Sequence, residues 1–280
     1  MTIPAAAYPF LDPLTDFGFK HLFGTNGNKD LLISFLNALF KGEKKIVDVK
    51  YGATEHAGNH QVFKKVFFDI ACTAEDGEHF IIEMQQEKQK YFRDRCVFYL
   101  SRLINEQIIN GKRWQEPLES VYIISILDFK LADSEQESYL QDIALMNKQT
   151  GKLFYIKLGF KFIELPCFNK KEEELETDLD KWLYIIKNMG KLTQLPVSFQ
   201  EGVFFRVFQQ AELNRMSKAE RQIYNSNWKA YNDYENTIEY AAFKKSISIA
   251  KNMMQEQIPM DIICKTTGLS IAELEEFEKL

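Results

Sequence analysis

Residues 62–86 read VFKKVFFDIACTAEDGEHFIIEMQQ, and this stretch decides how the rest of the chain is interpreted. The pattern predicts two apolar strands joined by a tight turn at residues 75–77, EDG. One acid lies inside each predicted strand, Asp69 in the first and Glu83 in the second. Because burying an unpaired charge is costly, each acid must be paired, solvated at a cleft or bound to a metal.

The turn determines how the two strands pair. A glycine at the third position of a three-residue loop suits a type I turn closed by a left-handed residue, here Gly77. That loop pairs Asp69 with Glu83. It also pairs Phe67 with Gln85, and all four side chains then share one face. The opposite face is wholly apolar, with Val66, Phe68, Ile70, Cys72, Phe80, Ile82 and Met84. A two-residue Asp-Gly loop would separate the acids, and the apolar matching favours the first register.

The composition is that of an ordinary globular protein. The 280 residues are 45% hydrophobic and 27% charged, which argues against disorder. The net charge of −5 excludes a global basic field, although a local basic groove is compatible with it. Four widely spaced cysteines show no zinc-binding pattern and favour a reducing compartment. No secretion signal and no apolar run of about 18 residues is found, so we expect a cytoplasmic protein without a membrane span.

The remaining pattern predicts an α/β domain followed by helices. Helices are expected over residues 30–41 and 90–110, strands over 45–51 and 120–129, and a hairpin around 149–151. From about residue 170 the composition changes to charged helices, and the end has helix-turn-helix form. We therefore expect an α/β domain over residues 1–168 and a mostly helical C-terminal region over residues 169–280.

Asp69 and Glu83, facing each other across neighbouring strands, would form a site of hard oxygen ligands. Such a site suits Mg²⁺ or Mn²⁺. A bound ion lowers the pKa of a water and neutralises charge on a phosphodiester, and Gln85 on the same face could orient that water. The plain alternative is a solvated strand face with Lys65 as the partner of the acids. Spacing alone leaves both interpretations open.

Several pieces of the sequence together resemble a known family. An acid in one strand, then an acid-x-polar triplet in the next strand and a helix, is the pattern of the PD-(D/E)XK nuclease core. More closely, the chain resembles the Rpn family of recombination-promoting nucleases, also described as PD-(D/E)XK family transposases. The matching pieces, in order, are LDPLTDFGFKHLFG, LLISFLNALF, FFDI, IIEMQ, FRDRCVFYLSRLINEQ and TGLSIAELEEF. They span nearly the whole chain.

The resemblance implies a fold and a set of metal ligands. The implied fold is a restriction-endonuclease-like mixed sheet flanked by helices, followed by the helical region. Asp69 and Glu83 are the implied ligands of Mg²⁺ or Mn²⁺, with the Met84 carbonyl as a third. The last position of the motif is usually Lys in the wider superfamily and is Gln85 here. The smaller family commonly has Gln at this position, so the change by itself does not indicate inactivity.

Other charged residues are candidates for the edge of the site. Asp16 and Lys20 belong to the family-like N-terminal motif and could flank the metal, with Lys20 near phosphate. Capping and solvating a short helix is the more common role for such residues. Arg93 and Arg95, on the helix after the triplet, could contact DNA phosphates. The ordinary alternative is a solvated helix face.

Two functions follow from these observations. The first is a metal-dependent DNA endonuclease, a hydrolase associated with recombination or mobile elements. The alternative is a catalytically weak or inactive nuclease fold that binds DNA or a partner protein. A homodimer is one expectation, because many nucleases that cut both strands pair two sites. The last helix carries four acids and one lysine, which disfavours docking of that helix on DNA phosphates.

Overall fold

The structure is a computed structural model that describes residues 9–56, 66–108, 117–131 and 138–278. A mixed six-stranded sheet forms its centre. The strands are β1 (Val49–Tyr51), β2 (Glu55–His56), β3 (Val66–Phe67), β4 (Ile70–Ala74), β5 (His79–Gln85), β6 (Val121–Leu127), β7 (Leu140–Met146) and β8 (Leu153–Glu164). The α-helices are α1 (Asp16–Phe23), α2 (Lys29–Leu39), α3 (Phe92–Ile108), α4 (Asp178–Asn188), α5 (Gly202–Ala211), α6 (Lys218–Gln255), α7 (Met260–Thr267) and α8 (Ile271–Glu278). Short 3₁₀ helices span Asn26–Asn28, Leu165–Cys167, Glu172–Glu174, Met189–Lys191, Val197–Phe199 and Leu213–Arg215.

The strand order of the large sheet is β1-β4-β5-β6-β8-β7. Strands β1, β4 and β5 pair antiparallel, β5 pairs parallel with β6, and β6 pairs parallel with β8. The edge strand β7 returns antiparallel along β8. Strands β2 and β3 form a separate two-stranded sheet. A mixed sheet with helices packed on it confirms the predicted α/β class.

Helices cover both faces of the sheet. One face packs against α1, α2, α4 and α5 in a single large apolar cluster. Within it the buried ring of Trp182 lies 5.5 Å from Phe23 and 5.4 Å from Phe204, measured between ring centroids. The other face packs against α3, with Phe92, Cys96, Leu100 and Leu103 buried on it. The sheet is therefore sealed along most of its length, and side chains reach solvent mainly at the strand ends.

The strand predicted over residues 45–51 is shorter in the structure. Its first part is held by Asn37, whose side-chain amide donates to the Ile46 carbonyl (2.7 Å) and accepts from the Ile46 amide (2.8 Å). Because both backbone groups of Ile46 are satisfied by α2, this part of the chain does not join the ladder. Regular pairing begins at Val49.

The chain divides into two compact units, Met1–Tyr224 and Asn225–Leu280. The domain boundary predicted after residue 168 stays a prediction, although α4 and α5 share the core of the sheet. Helix α6 runs through the division at residue 224. In the second unit, α7 ends at Gly268 in the left-handed conformation (φ 73°). A capping box between Ser270 and Glu273 precedes α8, and the helix-turn-helix-like element expected at the end of the chain stays a prediction.

Candidate active site

The turn between β4 and β5 has the predicted geometry. Gly77 adopts a positive φ of 89°, its amide donates to the Ala74 carbonyl (3.0 Å), and the Ala74 amide donates to the Glu78 carbonyl (2.9 Å). The ladder then pairs Ile70 with Ile82 and Cys72 with Phe80. This is the register expected from the three-residue loop. It brings Asp69, one residue before β4, opposite Glu83.

The first strand of the hairpin is interrupted at Asp69, which the sequence did not predict. Phe67 pairs with Glu55 in the small sheet and not with Gln85. Phe68 lies in the cluster on the α3 face and not on the face of Ile70, and its amide donates to the Thr54 carbonyl (2.8 Å). The cause is local: the chain bends at Asp69, whose amide bonds to the Glu83 side chain and not to a strand partner. The bend leaves the Asp69 carboxyl at the end of the ladder.

A short chain of hydrogen bonds joins the two acids and Gln85. The Met84 amide donates to Asp69 Oδ2 (2.8 Å), and the Asp69 amide donates to Glu83 Oε1 (3.3 Å). Gln85 Nε2 donates to Glu83 Oε2 (3.1 Å). The structure therefore brings Asp69, Glu83, Met84 and Gln85 together, as the sequence predicts.

Helix α1 brings a cation to this pair. Lys20 Nζ lies 3.8 Å from Asp69 Oδ1 and 2.6 Å from Asp16 Oδ1. The expectation that Asp16 caps this helix is wrong. Thr15 is the N-cap, because its Oγ1 accepts from the Gly18 amide (3.0 Å). Asp16 is thereby free of the capping role and forms the ion pair with Lys20.

Burial makes the two carboxyls difficult to ionise. Burial raises the pKa of Asp69, against the lowering effects of the Met84 amide and the Lys20 charge. Glu83 is only 4% exposed, and burial, then the charge of Asp69, raises its pKa to about 8. Burial acts to lower the pKa of Lys20, but Asp16, Asp69 and Glu83 outweigh it and raise that pKa overall. Two acids that repel each other in a poorly solvated place bind a proton or another cation readily.

Arg95 on α3 is the second cation near the acids. Its charge lowers the pKa of both Asp69 and Glu83, and its Nη2 donates to the Tyr99 hydroxyl (3.2 Å). Arg93 is exposed on the same helix. The predicted partner Lys65 lies outside the described residues. Two turns further along α3, Arg102 Nε and Glu106 Oε1 form an i,i+4 ion pair (3.0 Å).

One contact that organises the site carried no sequence signal. Gln86 Nε2 donates to the Leu14 carbonyl (2.6 Å), a contact between residues 72 positions apart. It ties the end of β5 to the residue before the N-cap of α1. The position of Lys20 beside Asp69 therefore depends on a side chain that the motif does not include.

The donor set fits a small divalent cation held by few protein ligands. Among the described residues, no group of three or more His, Cys, Asp or Glu side chains is arranged to hold a metal. Mg²⁺, however, is commonly bound through one or two carboxylates, with waters and substrate phosphate completing its shell. The raised pKa values of the Asp69–Glu83 pair identify it as the place where a cation would relieve repulsion.

The site thus combines buried Glu83, half-buried Asp69 and Lys20 near the carboxyl end of a central strand of a mixed sheet. The family model described as PD-(D/E)XK nuclease family transposase matches residues 13–241, and the chain belongs to this family. The matched range includes every candidate residue described above. Membership indicates a nuclease-like function involving DNA, and nucleases of this kind generally use divalent metal ions.

The other comparisons add no relative. No curated protein and no solved structure matched the chain. Within the described part of the chain, no helix is both long enough and apolar enough to cross a membrane. The predicted cytoplasmic location stays a prediction.

Proposed function

We propose that this protein is a Mg²⁺- or Mn²⁺-dependent DNA endonuclease that hydrolyses phosphodiester bonds and acts in recombination or on mobile elements, as the Rpn-like sequence pieces suggest. The observation that carries the proposal is the Asp69–Glu83 pair. Glu83 is buried and Asp69 half-buried, the two are hydrogen bonded across a strand break, and the net effect of their surroundings raises both pKa values. A purely structural pair of acids would gain nothing from such a placement.

In this proposal Asp69 and Glu83 hold the cation, with the Met84 carbonyl as a further ligand. When bound, the ion supplies a water of lowered pKa and neutralises charge on the phosphodiester. Gln85 already donates to Glu83 and fixes the orientation of that carboxylate. Its amide can also orient a water or a substrate oxygen, which is the part that Lys plays in the wider superfamily.

The cations around the pair would bind the DNA backbone. Lys20 is held between Asp16 and Asp69, so its ammonium lies where a phosphate would approach the acids. Arg95 faces the same carboxyls from α3, and exposed Arg93 extends the basic rim on that helix. These contacts would position the phosphate without reading sequence.

The test is cleavage of supercoiled plasmid with Mg²⁺ or Mn²⁺. Wild type is compared with Asp69→Asn, Asp69→Ala and Glu83→Gln. Glu75→Gln, an exposed acid in the turn of the same hairpin, is the matched control. Cleavage by wild type and Glu75→Gln, and loss of it in the three site variants, supports the proposal. Equal cleavage by wild type and Asp69→Ala would remove the site assignment.

A second candidate function is a nuclease fold that binds DNA without cutting it. It is favoured by Gln85, an uncharged residue at the usual Lys position that already forms a hydrogen bond with Glu83. Salt-dependent DNA binding without metal-dependent cleavage would support it. A metal titration with no heat and no shift in melting temperature would favour it further.

A further inference from the structure

The hairpin of β7 and β8 projects beyond the rest of the sheet. Strand β6 first pairs with β8 at Leu158. Beyond that point, within the residues that the structure describes, only β7 and β8 continue, with Leu145 opposite Tyr155 and Met146 opposite Leu153. A bulge after Ala144 separates this part from the main ladder. We call residues 145–155 the arm. The Asn147 amide closes its tip on the Lys152 carbonyl (2.8 Å).

The arm exposes an unusual amount of apolar surface. Phe154 is 77% exposed and neighbouring Ile156 is 71% exposed. The other exposed apolar side chains of the hairpin are Ile143, Leu145, Met146 and Leu153. A two-stranded ribbon alone is marginally stable in water. In the described part of the chain, no strand pairs with the outer edge of β7, and an unprotected apolar edge is a surface for association.

A cleft lies at the base of the arm. Its volume is about 540 Å³, and Ile143, Leu153 and Ile156 form part of its wall. Tyr122 also lines it, and the Tyr122 hydroxyl donates to the Ile156 carbonyl (3.3 Å). The protruding apolar arm and a partly apolar cleft are thus adjacent on one surface.

The most exposed charges of these two features are opposite in sign. The arm contains Lys148 and Lys152 and no acid. At the cleft, Glu43 and Asp142 have side chains 47% and 56% exposed, whereas Lys161, the partner of both, is only 3% exposed. Lys44 and Glu78 also line the cleft and pair with each other at 2.7 Å, and half-buried Lys157 donates to the Leu118 carbonyl (2.6 Å). The most exposed charges of the cleft are therefore acidic, and those of the arm are basic.

We infer that the arm is the interface of a homodimer, in which the arm of each copy packs into the cleft of the other. A two-fold axis requires one patch that is complementary to itself, and an arm beside a cleft of opposite exposed charge meets that requirement. The buried anchor would be Phe154, with Lys148 and Lys152 near Glu43 and Asp142 of the second copy.

This interface is separate from the candidate active site. Glu83 is level with Ser125 and Phe162 in the ladder, and Leu153 precedes Phe162 by nine positions. At the strand rise this separates the arm tip from the acids by roughly 30 Å. The inference consequently does not rest on the proposed nuclease reaction, and either can fail alone.

Sedimentation of the full chain tests the inference. We expect the wild type to be dimeric at micromolar concentration, and Phe154→Asp to raise the dimer dissociation constant at least about tenfold. Val197→Asp is the matched control, because Val197 is 79% exposed and lies outside the hairpin. The variant Lys148→Glu with Lys152→Glu keeps the apolar surface and should also weaken the dimer, by an amount that shrinks at high salt.

Three outcomes would overturn the inference. The first is a wild type that stays monomeric up to about 100 µM, a concentration at which a dimer with a micromolar dissociation constant would be almost fully formed. The second is a dimer that Phe154→Asp, shown to be folded by circular dichroism, does not weaken. The third is a monomer whose DNA affinity falls in the double lysine variant, which would make the arm a DNA contact.

Discussion

Two clusters of charged side chains in the central sheet balance their charges differently. On β8, level with Ile124 in the middle of β6, Lys161 contacts Glu43 and Asp142 at 2.7 Å each and lies 4.7 Å from the centroid of the Phe40 ring. Near the carboxyl end of β5, the Asp69 amide donates to Glu83 Oε1 (3.3 Å), and Lys20 Nζ is 3.8 Å from Asp69 Oδ1.

The difference separates a structural cluster from a candidate site. In the Lys161 cluster the buried ammonium meets carboxylates at hydrogen-bond distance; Lys44 likewise lies 2.7 Å from Glu78. The buried charge of such a cluster is fully paired. In the Asp69–Glu83 pair two carboxyl groups share one poorly solvated place, and burial raises both of their pKa values. Carboxyl groups that the fold holds in such a place indicate a functional position.

The largest effect expected is loss of cleavage in Asp69→Asn. Removing one of the two proposed carboxylate ligands should lower the cleavage rate by about a thousandfold, since metal stabilisation of the transition state is worth several kcal/mol. Stability without metal should be unchanged or higher, because a buried charge is removed. Plasmid cleavage and thermal melting measure the two quantities. A large loss of stability would instead place Asp69 with the balanced cluster.

The next effect is a pH dependence of stability in the metal-free protein. The pKa of Glu83 is raised from 4.5 to about 8 by burial and by Asp69. The folded state therefore retains a proton that the unfolded chain has released. The stabilising contribution is fully present below pH 4.5 and is lost as pH rises through about 8.

Glu83→Gln isolates this contribution. With a chelator present, the melting temperature should fall less between pH 4.5 and about 8 for Glu83→Gln than for wild type. Added Mg²⁺ should stabilise the wild type more at about pH 8 than at about pH 5, because the ion competes with the proton. Identical pH profiles for the two proteins would mean that Glu83 is ionised in the folded state.

A smaller effect is expected in the Lys161 cluster. Lys161→Met should lower the free energy of unfolding by about 1–2 kcal/mol, since Glu43 and Asp142 can return to water. Denaturant titration measures it. Cleavage should be unchanged, because Lys161 lies on β8, two strands from β5, and none of its charged partners belongs to the candidate site. Reduced cleavage with unchanged stability would contradict the separation of the two clusters.

The sequence was sufficient to predict the hairpin register and the α/β class. The turn at Gly77 and the apolar residues around it are local features, and both specify the same pairing. For Asp69 and Glu83, residue chemistry alone left two interpretations open. The ordered family-like pieces were needed to favour a metal site, and the roles of these residues remain predictions.

The strand break at Asp69 could not be predicted, for a physical reason. The Asp69 amide can bond to a strand partner or to a carboxylate, and this choice depends on where the Glu83 side chain lies after folding. The capping error at Asp16 is similar, because Thr15 and Asp16 are adjacent and either can cap a helix. Local sequence offers both options, and tertiary packing selects one.

The smallest effect expected is at Gln86, which connects the site to α1. Gln86→Leu removes the hydrogen bond to the Leu14 carbonyl and should lower the free energy of unfolding by about 1 kcal/mol. Because Lys20 loses its support and the two acids keep theirs, cleavage should fall mainly through weaker DNA binding. The metal concentration for half-maximal activity should be unchanged. DNA titrations and Mg²⁺ titrations of the cleavage rate separate these quantities.

The double variant tests whether Gln86 acts through Lys20. Lys20→Met should also lower DNA affinity, and adding Gln86→Leu to Lys20→Met should lower it little further if the two residues act together. Fully additive effects would show that Gln86 acts on the site by a route other than the position of Lys20.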